Sequence, residues 1–215
     1  MDSSVPPPAP TRHKLRPWYL VAAMVLTWFI GVYGLNVGFG YASFLRVGTV
    51  PDAAAALHAG TPWEMSEYAA LQALKAMLVN ARVTYPLAVA EVILSGLLVV
   101  ASGLAMGGRK GARSLALQAI GANALLAIAA YALTPAVRAA YIEGFLHAVD
   151  AVEAVNTPAP HREALASPAM LQWVFRVKLL LFDVALGLGA LALTRPRTKV
   201  YFEAVARATE SPEEP

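Results

Sequence analysis

The sequence predicts an all-α, polytopic membrane protein: a four-transmembrane-helix bundle with amphipathic helices in its two extracytoplasmic connections. Three observations lead there. The 215-residue chain is 58% hydrophobic and 14% charged, with a mean hydropathy of +0.54, whereas a soluble domain carries about 25% charge. Four segments match the roughly 20 apolar residues needed to cross about 30 Å of hydrocarbon. Lys and Arg gather at alternate ends of those segments.

Residues 1–17 form a basic leader whose SSVPPPAP stretch is proline-rich, low-complexity and disordered. The first span covers about 18–38. Its apolar run exceeds the 7–15 residues of a signal-peptide core, and no A-x-A site follows, so it reads as a retained span. The others cover about 87–106, 115–134 and 170–193, giving a membrane domain of 18–194 and a cytoplasmic tail of 195–215, disordered at its acidic end.

Direction follows from the cations. Arg12, Lys14, Arg16, Arg109, Lys110, Arg113, Arg195, Arg197, Lys199 and Arg207 fall on one side. The long connections hold only Arg46, Lys75, Arg82, Arg138 and Arg162. By the positive-inside rule both termini and the 107–113 turn are cytoplasmic, and connections 39–86 and 135–169 face outward. The alanine-rich composition points to a bacterial inner membrane. Nucleic acid is excluded as a partner, because the basic residues flank apolar runs instead of lining one polar face.

Each connection carries a proline-started helix. Thr61-Pro62-x-Glu64 is a capping box, followed by Met65, Tyr68, Leu71, Leu74 and Leu78 at helical spacing. After a short turn spanning VPDAAAALHAG, this is the first outer helix. Thr134-Pro135 opens the second, whose apolar stripe is Val137, Tyr141, Phe145, Val149, Val152 and Val155. TPAPHREALASP breaks it, and Ser167-Pro168 restarts the chain. The two halves read as span, outer helix, span, which raises a tandem repeat, although residue identity between them is poor. The outer helices can lie on the membrane, cap the bundle or dock a partner.

Several polar and small residues lie inside the spans. Thr27, Gly31, Gly34 and Gly38 form a stripe on the first, with Ala23. Glu91, Ser95 and Ser102 share a face of the second; Asn123 lies on a face of the third with Ala127, Ala130 and Thr134. Small residues let helix backbones approach, and polar ones hydrogen-bond across. Glu91 and Arg176 each lie about six residues, or roughly 9 Å, below the outer boundary, so an ion pair is expected between them. Asp183 follows Arg176 on the same helix face near the midplane, where Asn123 is its natural partner. Lys178 lies about 160° round the helix from Arg176 and snorkels outward. These charges are expected to face the bundle interior or a partner's helix. They serve as polar glue that fixes helix register, or as an ion path.

No cofactor is predicted. His13, His58, His147 and His161 all lie outside the spans, which excludes a b-type haem held by two histidines of the chain's own spans. The absence of cysteine excludes disulfides, thiolate metal sites and a cysteine nucleophile. Glu143, His147 and Asp150 fall on one face of the second outer helix. That spacing suits a divalent metal with His58 or His161 as a further ligand, and equally a solvated polar face. There is no Gly-rich phosphate loop, G-x-S-x-G elbow or H-E-x-x-H motif. The leading expectation is therefore a non-catalytic subunit or scaffold of a membrane complex, in contact with the lipid bilayer and with a protein partner or further copies of itself. The alternative is a small ion- or proton-coupled transporter or channel using the intramembrane carboxylates. A membrane enzyme or metal-binding protein with an outer-face site is third.

Overall fold

A computed structural model describes residues 16–50, 61–153 and 167–210. Among them are seven helices and no strand: α1 (Trp18–Val47), α2 (Pro62–Val79), α3 (Ala81–Met106), α4 (Ala112–Leu133), α5 (Pro135–Glu153), α6 (Pro168–Thr194) and α7 (Pro196–Glu210). Most of the leader, the 51–60 turn, the 154–166 break, the last five residues, and with them His13, His58 and His161, lie outside the described residues.

The chain is a multi-pass membrane protein: α1, α3, α4 and α6 are each long and apolar enough to span a bilayer. Two spans are longer than their apolar cores. α1 runs on through GYASFLRV and ends at Gly48, whose left-handed φ of 75° lets its N–H reach the Phe44 carbonyl. α3 starts at Ala81 and carries Pro86 inside it.

The four spans form a ring. α1 and α4 each pack on both α3 and α6, so α3 and α6 occupy opposite corners. The tightest seam is α1 against α3, running antiparallel. A methyl group added at Gly31 would lie 3.0 Å from the Ser95 carbonyl oxygen and 3.1 Å from the Val99 nitrogen. Only glycine permits that approach. Thr27 and Ser102 extend the seam with a hydroxyl–hydroxyl hydrogen bond of 3.0 Å, both side chains fully buried.

The outer helices are continuations of the ring helices. One residue, Asn80, separates α2 from α3, and Thr84 Oγ1 stitches the junction by donating to the Met77 carbonyl at 2.8 Å. One residue, Thr134, separates α4 from α5. α2 and α5 pack chiefly on each other, around Met65, Ala69, Ala148 and Val149, with Gly144 admitting Gln72. The expected stripe on α5 is divided. Phe145 and Val149 join the α2 interface, while Tyr141 meets Phe175 of α6 edge-on, ring centroids 5.5 Å apart.

The helix starts differ from one another. Thr61 accepts from the Glu64 amide and Ser167 from the Met170 amide, as N-caps do. Thr134 instead donates backward to the Ala130 carbonyl at 2.6 Å, closing α4. The two outer connections therefore do not use one device twice.

The tail is also structured at its start. α7 turns back under the ring and buries Thr198, Tyr201 and Phe202.

Candidate functional site

Glu91 lies in the α1–α3 seam. A methyl group at Gly34 would come within 2.8 Å of the Glu91 carboxylate, and one at Gly38 within 3.0 Å of its Cβ and Cγ. The two glycines, one turn apart on α1, thus make the space in which the carboxylate sits. Its hydrogen-bond partner is Ser95, one turn along its own helix. The expected Glu91–Arg176 ion pair is not formed, because α3 and α6 stand at opposite corners. Equal depth on two helices brings side chains together only when the helices are neighbours.

Asn123 is 3% exposed and points into the α3–α4 seam. Its amide donates to the Leu94 carbonyl of α3 at 2.9 Å and to the Ala119 carbonyl of its own helix at 2.8 Å. It does not bond Asp183, although α4 and α6 are neighbours. The side chain faces the other neighbour.

The α6 charges lie elsewhere. No residue from Pro168 to Ala185 is buried; the buried ones, Leu186, Gly189, Ala192 and Leu193, all lie in the last nine residues. Arg176 and Lys178 are exposed. Arg176 lies over the ring of Trp173 on its own helix, 5.4 Å from the centroid, a contact that partly offsets the charge. Asp183 borders the same shallow furrow along α6, with Trp173, Arg176 and Leu180. Its Oδ1 is enclosed without a hydrogen-bond partner among the described residues. Of the two settings expected for Arg176, the bundle interior or a partner's helix, the interior is thus corrected, while Lys178, expected to reach outward, is exposed. Arg176 and Lys178 point to nearly opposite sides of this half of α6, where Val174, Val177, Leu180 and Leu181 are also exposed.

The terminal end of the ring, where α1 begins and α6 ends, is tied together by polar contacts that were not singled out in the sequence. Arg113 Nε donates to the Leu193 carbonyl at 2.9 Å. Thr198 Oγ1 donates to the Ala192 carbonyl at 2.8 Å and lies 3.2 Å from the Tyr19 hydroxyl. Tyr201 packs its hydroxyl on Gly108, whose φ of 64° and missing side chain leave room for it. The available signal was Pro196 at a helix start, followed by Val200, Tyr201, Phe202 and Val205 among charged residues.

Glu143, His147 and Asp150 are exposed along α5, and His147 stacks on Tyr68 of α2, ring centroids 5.9 Å apart. Among the described residues no group of three His, Asp or Glu side chains is arranged to hold a metal ion.

The residues picked from the sequence therefore fall into four separate places: a small-residue seam holding Glu91, an α3–α4 clasp at Asn123, the exposed charged half of α6, and the outer surface of α5 with Glu143, His147 and Asp150. No family model, no curated protein and no solved structure matches this chain.

Proposed function

We propose that the chain is a non-catalytic subunit of a larger complex in a bacterial inner membrane, inserted with both termini in the cytoplasm, and that α6 is the helix by which it docks. The observation that carries this reading is that Arg176 and Lys178 are exposed on the half of α6 that buries no residue, while Asp183 Oδ1 there has no hydrogen-bond partner among the described residues. An unpaired charge in a span costs about 2.5–3.5 kcal/mol at the midplane on insertion scales. Lys178 can snorkel, and Arg176 rests on Trp173. Asp183 is about 10 Å further along the helix than Arg176, too deep for its short side chain to reach water. A partner helix with an acidic residue level with Arg176 and a hydrogen-bond donor level with Asp183 would relieve both.

The partner is a different protein and not a second copy on this face. All copies insert in the same direction. A two-fold α6–α6 contact would set Arg176 against Arg176 and Asp183 against Asp183.

The outer helices lend less support than their apolar stripes suggest, because α2 and α5 largely cover one another. A transporter requires Glu91 and Asp183 on one path, and they stand on helices at opposite corners.

The test is purification of the tagged protein from native membranes in mild detergent, with mass spectrometry of co-purifying proteins. It is run on wild type, Arg176→Leu and Asp183→Leu. The expected result is a partner at fixed stoichiometry that is lost from both variants while the chain itself stays folded. A lone monomer or a homo-oligomer in wild type sinks the reading. Intact assembly with altered ion flux in Asp183→Leu transfers support to transport.

A further inference from the structure

A groove of about 840 Å³ opens between α1 and α6 at the terminal end, away from the exposed charged half of α6. Its walls are small or aliphatic: Ala22, Ala23 and Leu26 on α1 face Leu188 and Leu191 on α6. Level with Leu26 and Leu188 the two helices touch, since a methyl group at Gly189 would lie 2.5 Å from Thr27 Cγ2. At its mouth stand Trp18, the first residue of α1, and Arg195 and Arg197, just beyond the last residue of α6. Trp18 is 80% exposed, as a ring anchored at the membrane–water boundary is.

The mouth is preorganised. The Arg195 guanidinium lies over the Tyr19 ring, 5.0 Å from its centroid. Tyr19 is in turn held through its hydroxyl to Thr198. Among the described residues no carboxylate forms an ion pair with Arg195 or Arg197; the ion pair at this end is Arg207 with Glu203, on α7.

We propose that this groove seats one anionic phospholipid. One acyl chain lies along the alanine and leucine walls. The phosphate is held at the boundary by Arg195 and Arg197, whose planar forks match phosphate oxygens. A cleft that is apolar along its length, open to the hydrocarbon and doubly cationic at the boundary is complementary in charge and depth to that amphiphile. A soluble anion satisfies only the mouth, and a peptide helix is too wide for a cleft closed by a Gly–Thr contact. Basic pockets between spans hold acidic head groups in this way.

The test uses the full-length protein in bilayer discs of equimolar phosphatidylglycerol and phosphatidylethanolamine, released into native mass spectrometry. Wild type is expected to retain phosphatidylglycerol over phosphatidylethanolamine by about tenfold. Arg195→Gln with Arg197→Gln removes the preference. Ala22→Trp, a change at an exposed lining position, fills the groove and removes the retained lipid while leaving helix content and melting temperature unchanged. Arg109→Gln with Lys199→Gln removes the same charge outside the groove and keeps the preference. Retention in the bilayer ratio by wild type overturns the proposal. So does an equal loss in the charge-matched control, which would make the effect one of surface charge alone. Unchanged retention in Ala22→Trp overturns it as well, by showing that no acyl chain lies there.

Discussion

The two halves of α6 are both apolar in sequence, yet they have opposite surroundings. The half from Leu186 onward is fitted to its neighbours. Gly189 takes Thr27 and Ile120 against its backbone, Leu193 is fully buried, and the Leu193 carbonyl receives Arg113. The half before Ala185 buries nothing and carries every charge of the helix within the span. In a bilayer, apolar residues gain nothing from leaving lipid for protein, so helices meet where small residues allow close packing. Glycine and alanine recur in VALGLGALAL and are absent from LQWVFRVKLLLFD. The large, charged half therefore stays outside the ring, and Asp183 Oδ1 there has no hydrogen-bond partner among the described residues.

That contrast can be broken by substitution, and the largest effect belongs to the closest packing. Gly31→Leu places a side chain where even a methyl group meets α3 backbone at 3.0 Å. It should prevent the α1–α3 seam from forming, and Gly31→Ala should cost about 1–3 kcal/mol. Thermal unfolding in detergent, followed by circular dichroism, measures both. Retention of wild-type stability in Gly31→Ala would show the seam to be looser than described.

Next is Gly108→Ala at the α7 dock. A side chain at φ 64° costs about 1–2 kcal/mol and displaces the Tyr201 hydroxyl. Faster protease cleavage within 196–210 is the expected sign that α7 has come free, and an unchanged cleavage rate would count against the dock.

Asn123→Ala should cost about 1 kcal/mol by freeing the Leu94 carbonyl. Asp183→Ala should add nothing to that loss in the double variant, beyond its own single effect, because the two side chains do not touch. A coupling free energy of about 1 kcal/mol in that cycle would restore the Asn123–Asp183 pairing expected from depth alone.

The smallest effect should come from Arg176→Leu in the isolated protein. Its guanidinium lies over Trp173 of its own helix and forms no ion pair among the described residues, so the melting temperature should hold or rise slightly. A fall as large as that of Gly31→Ala would mean that the far half of α6 is integrated into the ring, and the contrast would fail.

How far the site was legible varies residue by residue. Thr61 and Ser167 are readable as caps because capping is local: side chain and amide are three residues apart in the chain. Thr134 precedes a proline in the same way, yet it bonds backward, because the helix it ends is as near as the helix it begins. The stripe of Thr27, Gly31, Gly34 and Gly38 is visible as a period, but the period is silent about which helix lies against it. Asn123 and Asp183 share a depth, and the rotation of α4 in the ring sends the amide to α3. α7 escaped notice because its apolar residues are few, and their burial depends on a turn some ninety residues earlier in the chain.

By itself, the sequence determined the all-α class, the four spans and the faces on which small and polar residues gather. Each of these follows from composition or from a repeat within one segment. Only the tertiary structure decided that α3 and α6 stand at opposite corners, that Glu91 is enclosed by Gly34 and Gly38, that α2 and α5 cover one another, and that Arg176 and Lys178 remain outside the ring. The physical reason is that helical periodicity defines a face, whereas the occupant of that face is chosen by which close contacts the whole set of helices can make at once.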